Sequence, residues 1–154
     1  MELSDIIGVE AVRAPLKVTS KKRLMQDLAD MAESVYGLSS ASTYRALMDR
    51  EALGPTGFGR GIGIPHARFA EVDKVCGLFV RLEKPVDFDA IDRQPVDLVF
   101  ALFAPESAGA DHLKALARVS RTLRSDAICA KLRSTFEAAA IYSILTEDKA
   151  SQAA

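Results

Sequence analysis

Two nearly continuous apolar runs limit the folds that are open to this chain of 154 residues. The runs cover Val75–Leu82 and Val96–Phe103. A strand that is apolar at consecutive positions is typical of the centre of a sheet that is buried on both faces. Patterns with helical spacing precede, separate and follow the two runs. The sequence therefore predicts an α/β fold: a single domain with a mixed parallel and antiparallel sheet flanked by helices on both faces.

Local signals mark the first strand and the first two helices. Pro15 lies within the strand predicted over Val12–Val18, and it assigns that strand to an edge of the sheet because proline cannot donate to a ladder. Ser20, or Thr19 beside it, is a candidate N-cap, and Gly37 is the stop signal of the helix that follows. Ser39 or Ser40 can cap the second helix.

The second half of the chain is predicted to add a short strand at Val86–Phe88 and three helices. Asp111 is the candidate cap of the first of them. The apolar stripe of this helix is Leu113, Leu116, Val119 and Leu123. The other two helices cover 127–132 and about 136–145. One domain over residues 1–147, followed by a flexible tail at 148–154, is the predicted organisation.

Charge and apolar content exclude two classes of partner. The chain has 20 basic and 21 acidic residues, which gives no general attraction to nucleic acid or to an anionic membrane. No apolar run approaches the ~20 residues of a membrane span, and the acidic N-terminus does not resemble a signal peptide. Cys76 and Cys129 are interpreted as free buried thiols, with a disulfide as the open alternative. We expect a cytoplasmic protein without membrane insertion.

One segment concentrates the features of a functional loop. Five of the nine glycines lie from Gly54 to Gly63, and Pro65 and His66 follow directly. Glycine permits positive φ and close backbone approach, and proline fixes φ. Such a loop can hold one imidazole in a set position and offer free N–H groups to an anion. His66 is therefore the candidate nucleophile, since histidine attacks or exchanges protons near neutral pH.

Further candidates surround this histidine. His112, the only other histidine, follows a buried strand at the predicted start of a helix, where α/β sheets usually carry their sites. A solvated surface histidine is the alternative for His112. Arg50 is a candidate phosphate ligand, because a guanidinium binds phosphate through paired donors. For Arg60 both a phosphate ligand and a solvated side chain stay open. Arg68 is interpreted as a solvated side chain.

Several classes of site lack their signatures. Two histidines 46 positions apart, with no Cys cluster, give no ligand spacing for a metal. There is no Gly-x-Ser-x-Gly elbow of a serine hydrolase. The glycines match neither the P-loop nor the dinucleotide fingerprint. We therefore predict no metal and no cofactor.

Three stretches carry a resemblance to a known family. They are 50–66, which ends in Gly61-Ile62-Gly63-Ile64-Pro65-His66, then 88–102, and the helix from His112 to about 126. Together they resemble the enzyme IIA domains of the bacterial phosphoenolpyruvate-dependent phosphotransferase system. The class is that of the fructose and mannitol enzymes, and the nitrogen-regulatory type is the most similar. The resemblance covers about residues 2–147.

The resemblance implies a phosphoryl carrier. His66 matches the histidine that accepts a phosphoryl group from a phosphorylated HPr-type protein. His112 matches a second histidine that stabilises the phosphohistidine, and Arg50 matches an arginine near the phosphate. The matching loop that lines the phosphate contains Thr56, Gly57, Gly59 and Gly61. Target proteins would be regulated according to the phosphorylation state, and no cofactor is implied.

Two positions depart from the family pattern, and two alternatives to regulation stay open. Arg60 stands where an asparagine or an acidic residue is usual, and we expect it to add positive charge beside His66. Gly63 replaces a commoner alanine.

One alternative is a sugar-transport IIA component that passes phosphate to a IIB domain; the absence of a fused IIB domain in this sequence favours regulation. The other is a binding module that is never phosphorylated.

Overall fold

The fold is organised around one six-stranded sheet in the computed structural model, which describes residues 1–147. The strand order is β1-β5-β6-β3-β2, and β4 also pairs with β6. The bounds of the strands are β1 Val12–Leu16, β2 Gly57–Gly59, β3 Ile62–Gly63, β4 His66–Arg68, β5 Cys76–Val86 and β6 Val96–Ala104.

Five α-helices accompany the sheet within residues 1–147. They are α1 Lys21–Tyr36, α2 Ser40–Ala52, α3 Ala110–Leu123, α4 Asp126–Arg133 and α5 Ala138–Leu145. Two 3₁₀ turns, Leu3–Asp5 and Val9–Ala11, precede β1. The tail predicted at 148–154 lies outside the described residues.

The pairing of the strands confirms the predicted mixed sheet. Strands β5 and β6 are antiparallel, whereas β1 is parallel to β5, and β3 and β4 are both parallel to β6. The two apolar runs form β5 and β6, each of which has neighbours on both sides. Nearly every residue of β6 is buried, as expected for a strand that is covered on both faces. Strand β1, with Pro15, lies at the edge as predicted.

The predicted caps of the first two helices are confirmed. The Ser20 hydroxyl accepts a hydrogen bond from the backbone N–H of Arg23, at the start of α1. Gly37 ends α1 in the left-handed conformation, with φ of 71°. The Ser39 hydroxyl accepts from the backbone N–H of Ser42 and starts α2. These features are local, which is why the sequence reveals them.

Two predicted boundaries are wrong. There is no separate strand at Val86–Phe88, because β5 continues to Val86, which pairs with Val96 beyond an irregularity in the register. Asp111 does not cap α3. The N-cap is Gly109, with φ of 51°, and Asp111 lies inside the first turn.

The buried face of α3 also differs from the predicted stripe. Leu113 is 63% exposed, whereas His112 is 4% exposed. The buried face of the helix runs through His112, Ala115, Val119 and Leu123. The helix is therefore rotated by about one position, and this rotation turns His112 into the interior beside β4.

Candidate functional site

His66 begins β4, at an interruption between two short strands. Strands β3 and β4 both pair with β6, and Ile64 and Pro65 separate them. Nδ1 of His66 lies 2.8 Å from the carbonyl oxygen of Ile64. A carbonyl oxygen only accepts, so the proton of the neutral imidazole is on Nδ1 and donates to it. The lone pair of Nε2 is left free.

His112 lies against His66. The two ring centroids are 5.5 Å apart and the planes are inclined by 65°. Nδ1 of His112 accepts a hydrogen bond of 2.8 Å from Nε of Arg68. Nε2 of His112 is buried and has no hydrogen-bond partner among residues 1–147. The alternative of a solvated surface histidine is therefore wrong for His112.

Two arginines flank the histidine pair. Arg50, in the last turn of α2, is half-buried and donates from Nη1 to the carbonyl oxygen of Gly54 at 3.0 Å. Arg68, two positions after His66 on β4, donates to His112. Arg68 is exposed, as the sequence predicts for a solvated side chain, but its guanidinium also makes this contact with the buried His112. The sequence alone could not reveal this contact, because the partners are 44 positions apart.

These side chains share a cavity of about 570 Å³ between α2, β4 and the start of α3. His66, His112, Arg50 and Arg68 all line it, together with Arg45 from α2. The structure therefore brings together His66, His112 and Arg50, the three residues that were expected to have a direct chemical role. It adds Arg68 to them.

Burial and charge keep both imidazoles neutral. Burial lowers the pKa of His66 below its usual 6.5, and the charges of Arg50 and Arg68 lower it further. The Ile64 carbonyl and the Glu51 carboxylate oppose this shift. Burial, then His66 and Arg68, lower the pKa of His112 to about 4. Near neutral pH the site contains two uncharged imidazoles beside two guanidinium groups.

A buried ion pair supports the chain segment that leads to His66, and sequence reasoning missed it. The side chain of Glu51 is 6% exposed and pairs with Nζ of Lys21 at 2.6 Å. The same carboxylate accepts from the backbone N–H of Thr56 at 3.2 Å and from its hydroxyl. The Thr56 carbonyl in turn accepts from the N–H of Ile64 at 3.0 Å. Glu51 therefore holds Thr56, and Thr56 in turn holds Ile64, whose carbonyl oxygen contacts His66.

The glycine segment forms a small antiparallel hairpin of β2 and β3. Gly57 and Gly59 are in β2, and Gly61 is in the turn to β3. A Cβ on Gly57 would lie 2.6 Å from the Cβ of Ala90, so only glycine allows this close approach. None of the three glycines lines the cavity with the histidines, and neither does Thr56. Both hydrogen-bond donors of Thr56 are engaged by Glu51.

The two positions that depart from the family pattern have structural partners. The Arg60 guanidinium pairs with Asp126 at 3.0 Å and donates to the carbonyl oxygen of Arg124 at 3.1 Å. Arg60 does not line the cavity of His66. A Cβ on Gly63 would lie 3.2 Å from the fully buried ring of Phe88, so Gly63 and Phe88 fit tightly together.

The geometry defines what the site can do. A neutral imidazole with one nitrogen held by a backbone carbonyl and the other free is a nucleophile. The adjacent guanidinium groups favour an anionic reactant such as a phosphoryl group. No group of three or more His, Cys, Asp or Glu side chains in residues 1–147 is arranged to hold a metal ion.

Comparison with known families agrees with this chemistry. Residues 5–148 match the family described as "Phosphoenolpyruvate-dependent sugar phosphotransferase system, EIIA 2". The chain belongs to this family. The match spans nearly the whole chain and so confirms the resemblance that the three sequence stretches predict. EIIA proteins are phosphoryl-transfer components of that system.

Similar proteins refine the position of the chain within the EIIA family. A protein of Bradyrhizobium diazoefficiens named "Nitrogen regulatory protein" is 49% identical over 145 residues, covering 94% of this chain and 95% of its own. A protein of the same name from Klebsiella oxytoca is 40% identical over 148 residues, covering 96% and 91%. The nitrogen-regulatory type is therefore the part of the EIIA family that this chain resembles, as the sequence predicts.

A solved structure matches the fold. The crystal structure of the nitrogen regulatory protein IIA-Ntr from Neisseria meningitidis superimposes with a TM-score of 0.88 at 36% identity. It covers 94% of this chain and 99% of its own.

In the part of the chain that the structure describes, no helix is long and apolar enough to cross a membrane.

Proposed function

We propose that this EIIA protein is a histidine phosphocarrier that accepts a phosphoryl group on Nε2 of His66 from a phosphorylated HPr-type protein. The observation that carries the proposal is the hydrogen bond from Nδ1 of His66 to the Ile64 carbonyl. It leaves Nε2 unprotonated in a cavity lined by Arg50, Arg68 and His112. A lowered pKa keeps that nitrogen nucleophilic at neutral pH.

The transfer is an exchange of one P–N bond for another. The lone pair on Nε2 of His66 attacks phosphorus in line, while the P–N bond to the donor histidine breaks and its electron pair returns to the donor imidazole. The Nδ1 proton of His66 remains hydrogen-bonded to the Ile64 carbonyl throughout. The transition state is stabilised by positioning and by positive charge. Arg50 supplies that charge beside the developing negative charge.

The other predicted residues have supporting roles in this proposal. His112 offers an N–H to an oxygen of the phosphoryl group on His66. Thr56, Gly57, Gly59 and Gly61 hold the chain that leads to His66. This support is consistent with the contacts from Glu51 to Thr56 and from Thr56 to Ile64.

Phosphorylation also suits a regulatory signal, as the name of the similar proteins suggests. Because Nδ1 of His66 keeps its proton, the phosphorylated ring is cationic and the net change is about one negative charge. The phosphoryl group itself carries close to two negative charges at neutral pH. That charge would appear at the mouth of a cavity whose rim carries Arg45, Arg50 and Arg68. Target proteins that distinguish the two charge states would then bind only one of them. Cytoplasmic localisation agrees with the two free buried cysteines.

The test is the intact mass of the protein after incubation with phosphoenolpyruvate, enzyme I and a nitrogen-type HPr protein. We expect one added phosphoryl group that is labile to acid and absent from His66→Ala. Arg50→Ala should be phosphorylated more slowly while it remains folded. No added mass, with a carrier that is itself phosphorylated, would refute the phosphocarrier proposal and favour the binding module.

A second arm separates regulation from sugar transport. The phosphorylated protein is mixed with a fructose-type or mannitol-type IIB domain, and the mass of both proteins is followed. We expect the phosphoryl group to stay on His66. Rapid transfer to IIB would instead support the sugar-transport alternative.

A further inference from the structure

The contact between Arg68 and His112 determines where His112 carries its proton. Nε of Arg68 lies 2.8 Å from Nδ1 of His112. A guanidinium has five N–H donors and no acceptor, so Nδ1 must be the acceptor and must be unprotonated. A neutral imidazole has one proton, and it is therefore on Nε2. A doubly protonated His112 would direct an N–H at the N–H of Arg68, and this arrangement is repulsive.

The N–H at Nε2 of His112 has no hydrogen-bond acceptor in residues 1–147 of the unphosphorylated protein. Nε2 is buried and has no partner among the described residues 1–147. A buried donor without an acceptor costs about 1–3 kcal/mol. The ring that carries it lies 5.5 Å, centroid to centroid, from the ring of His66. A group that arrives on His66 and brings oxygen acceptors would satisfy this donor.

We propose that Arg68 is a positioning residue that fixes His112 in its Nε2–H tautomer and so keeps one donor ready for an oxygen of the phosphoryl group. The last step rests on the proposed phosphorylation of His66. The tautomer itself is a property of the unphosphorylated protein and can be tested without it. A phosphoryl oxygen only accepts hydrogen bonds, so the other tautomer would turn a lone pair toward it.

The test is the tautomer of His112, read from long-range ¹H–¹⁵N correlation spectra of the full chain labelled on histidine. The chain has only two histidines, and His66→Gln assigns the signals. We expect the wild type at neutral pH to show a protonated Nε2 and an unprotonated Nδ1 on His112. A protonated Nδ1, or rapid exchange between the two forms, would overturn the proposal. The wild-type spectrum decides this without any variant.

Variants of Arg68 add a second readout. Arg68→Ala should convert the single tautomer of His112 into a mixture, and Arg68→Lys should restore it, because an ammonium also donates. Arg45→Ala is the matched control, since Arg45 lines the same cavity but makes no hydrogen bond to either histidine. If Arg45→Ala changes the tautomer as much as Arg68→Ala does, then general positive charge is responsible and the proposal fails.

The lifetime of the phosphorylated protein connects the tautomer to function. We expect Arg68→Ala to shorten the half-life of phosphohistidine by about tenfold, the equivalent of one hydrogen bond to a charged group, with Arg45→Ala closer to the wild type. An unchanged half-life in Arg68→Ala would refute the role toward the phosphoryl group. If His66 is never phosphorylated but the tautomer is as expected, the proposed function fails and the positioning of His112 by Arg68 stands.

Discussion

Lowering the pH should destabilise this fold through His112, and His112→Gln should remove that effect. In the folded protein His112 is 4% exposed and its pKa is lowered from 6.5 to about 4. The unfolded chain therefore binds a proton that the folded protein refuses. The stabilising contribution is complete above about pH 6.5 and is lost as the pH falls through the folded pKa.

The size of the effect follows from the two pKa values. Between about pH 7.5 and pH 5 the wild type should lose about 2 kcal/mol of unfolding free energy through His112 alone, and about 3 kcal/mol by pH 4. Glutamine does not titrate and keeps one donor and one acceptor near the positions of the imidazole nitrogens. The variant has its own fixed cost, which does not depend on pH.

The assay is urea unfolding of both proteins over this pH range, with the difference between their unfolding free energies plotted against pH. Other titrating groups occur in both proteins and largely cancel in the difference. We expect the wild type to lose its advantage over His112→Gln steadily below pH 6.5. A difference that stays constant within about 0.5 kcal/mol would refute the argument that His112 is buried in its neutral form.

Three further predictions concern the surroundings of His66. The single-turnover rate of its phosphorylation should remain on its plateau below pH 6.5, because burial lowers the pKa of the attacking imidazole. Lys21→Met should lower the unfolding free energy by about 3 kcal/mol in urea, because it leaves the buried Glu51 carboxylate without its cation. Gly57→Ala should cost about 2 kcal/mol in the same assay, because the new Cβ would lie 2.6 Å from the Cβ of Ala90.

Each of these predictions can be contradicted, and the two stability predictions have a matched variant within the chain. A phosphorylation rate that halves near pH 6.5 would mean that His66 titrates normally. Lys22→Met, one position from Lys21 and exposed, should change stability by less than about 0.5 kcal/mol, and an equal loss in both variants would contradict the ion-pair argument. Ala90→Gly should partly rescue Gly57→Ala; stability unchanged by alanine at Gly57 would rule out the close approach.

The parts of the fold that the sequence predicts are those set by nearby residues. The Ser20 and Ser39 caps and the Gly37 stop each act within one helical turn, so their residue types reveal them. The two apolar runs reveal β5 and β6 because a strand with neighbours on both sides and two covered faces is apolar at consecutive positions. The segment with His66 is also local, since glycine and proline act on their own backbone.

The parts that the sequence misses depend on contacts between distant segments. The burial of His112 is set by how α3 rotates against the sheet, and the predicted apolar stripe differs from the buried face by about one position. The role of Arg68 requires a partner 44 positions away. Glu51 has a recognisable charge, but its ion pair depends on Lys21 of α1, which is 30 positions away. The spacing of residues along the chain does not predict contacts between segments that are distant in the sequence.

The interruption between β3 and β4 has a consequence for how this site can evolve. The orientation of His66 depends on a main-chain oxygen, that of Ile64, and not on a side chain. No replacement of a neighbouring side chain can delete that acceptor, whereas His112 loses its orienting partner with one codon change at Arg68. The orientation of His66, the proposed nucleophile, is thus insensitive to substitution of neighbouring side chains, whereas that of His112 is not. Substitutions can therefore change the tautomer of His112 while the orientation of the His66 imidazole stays the same.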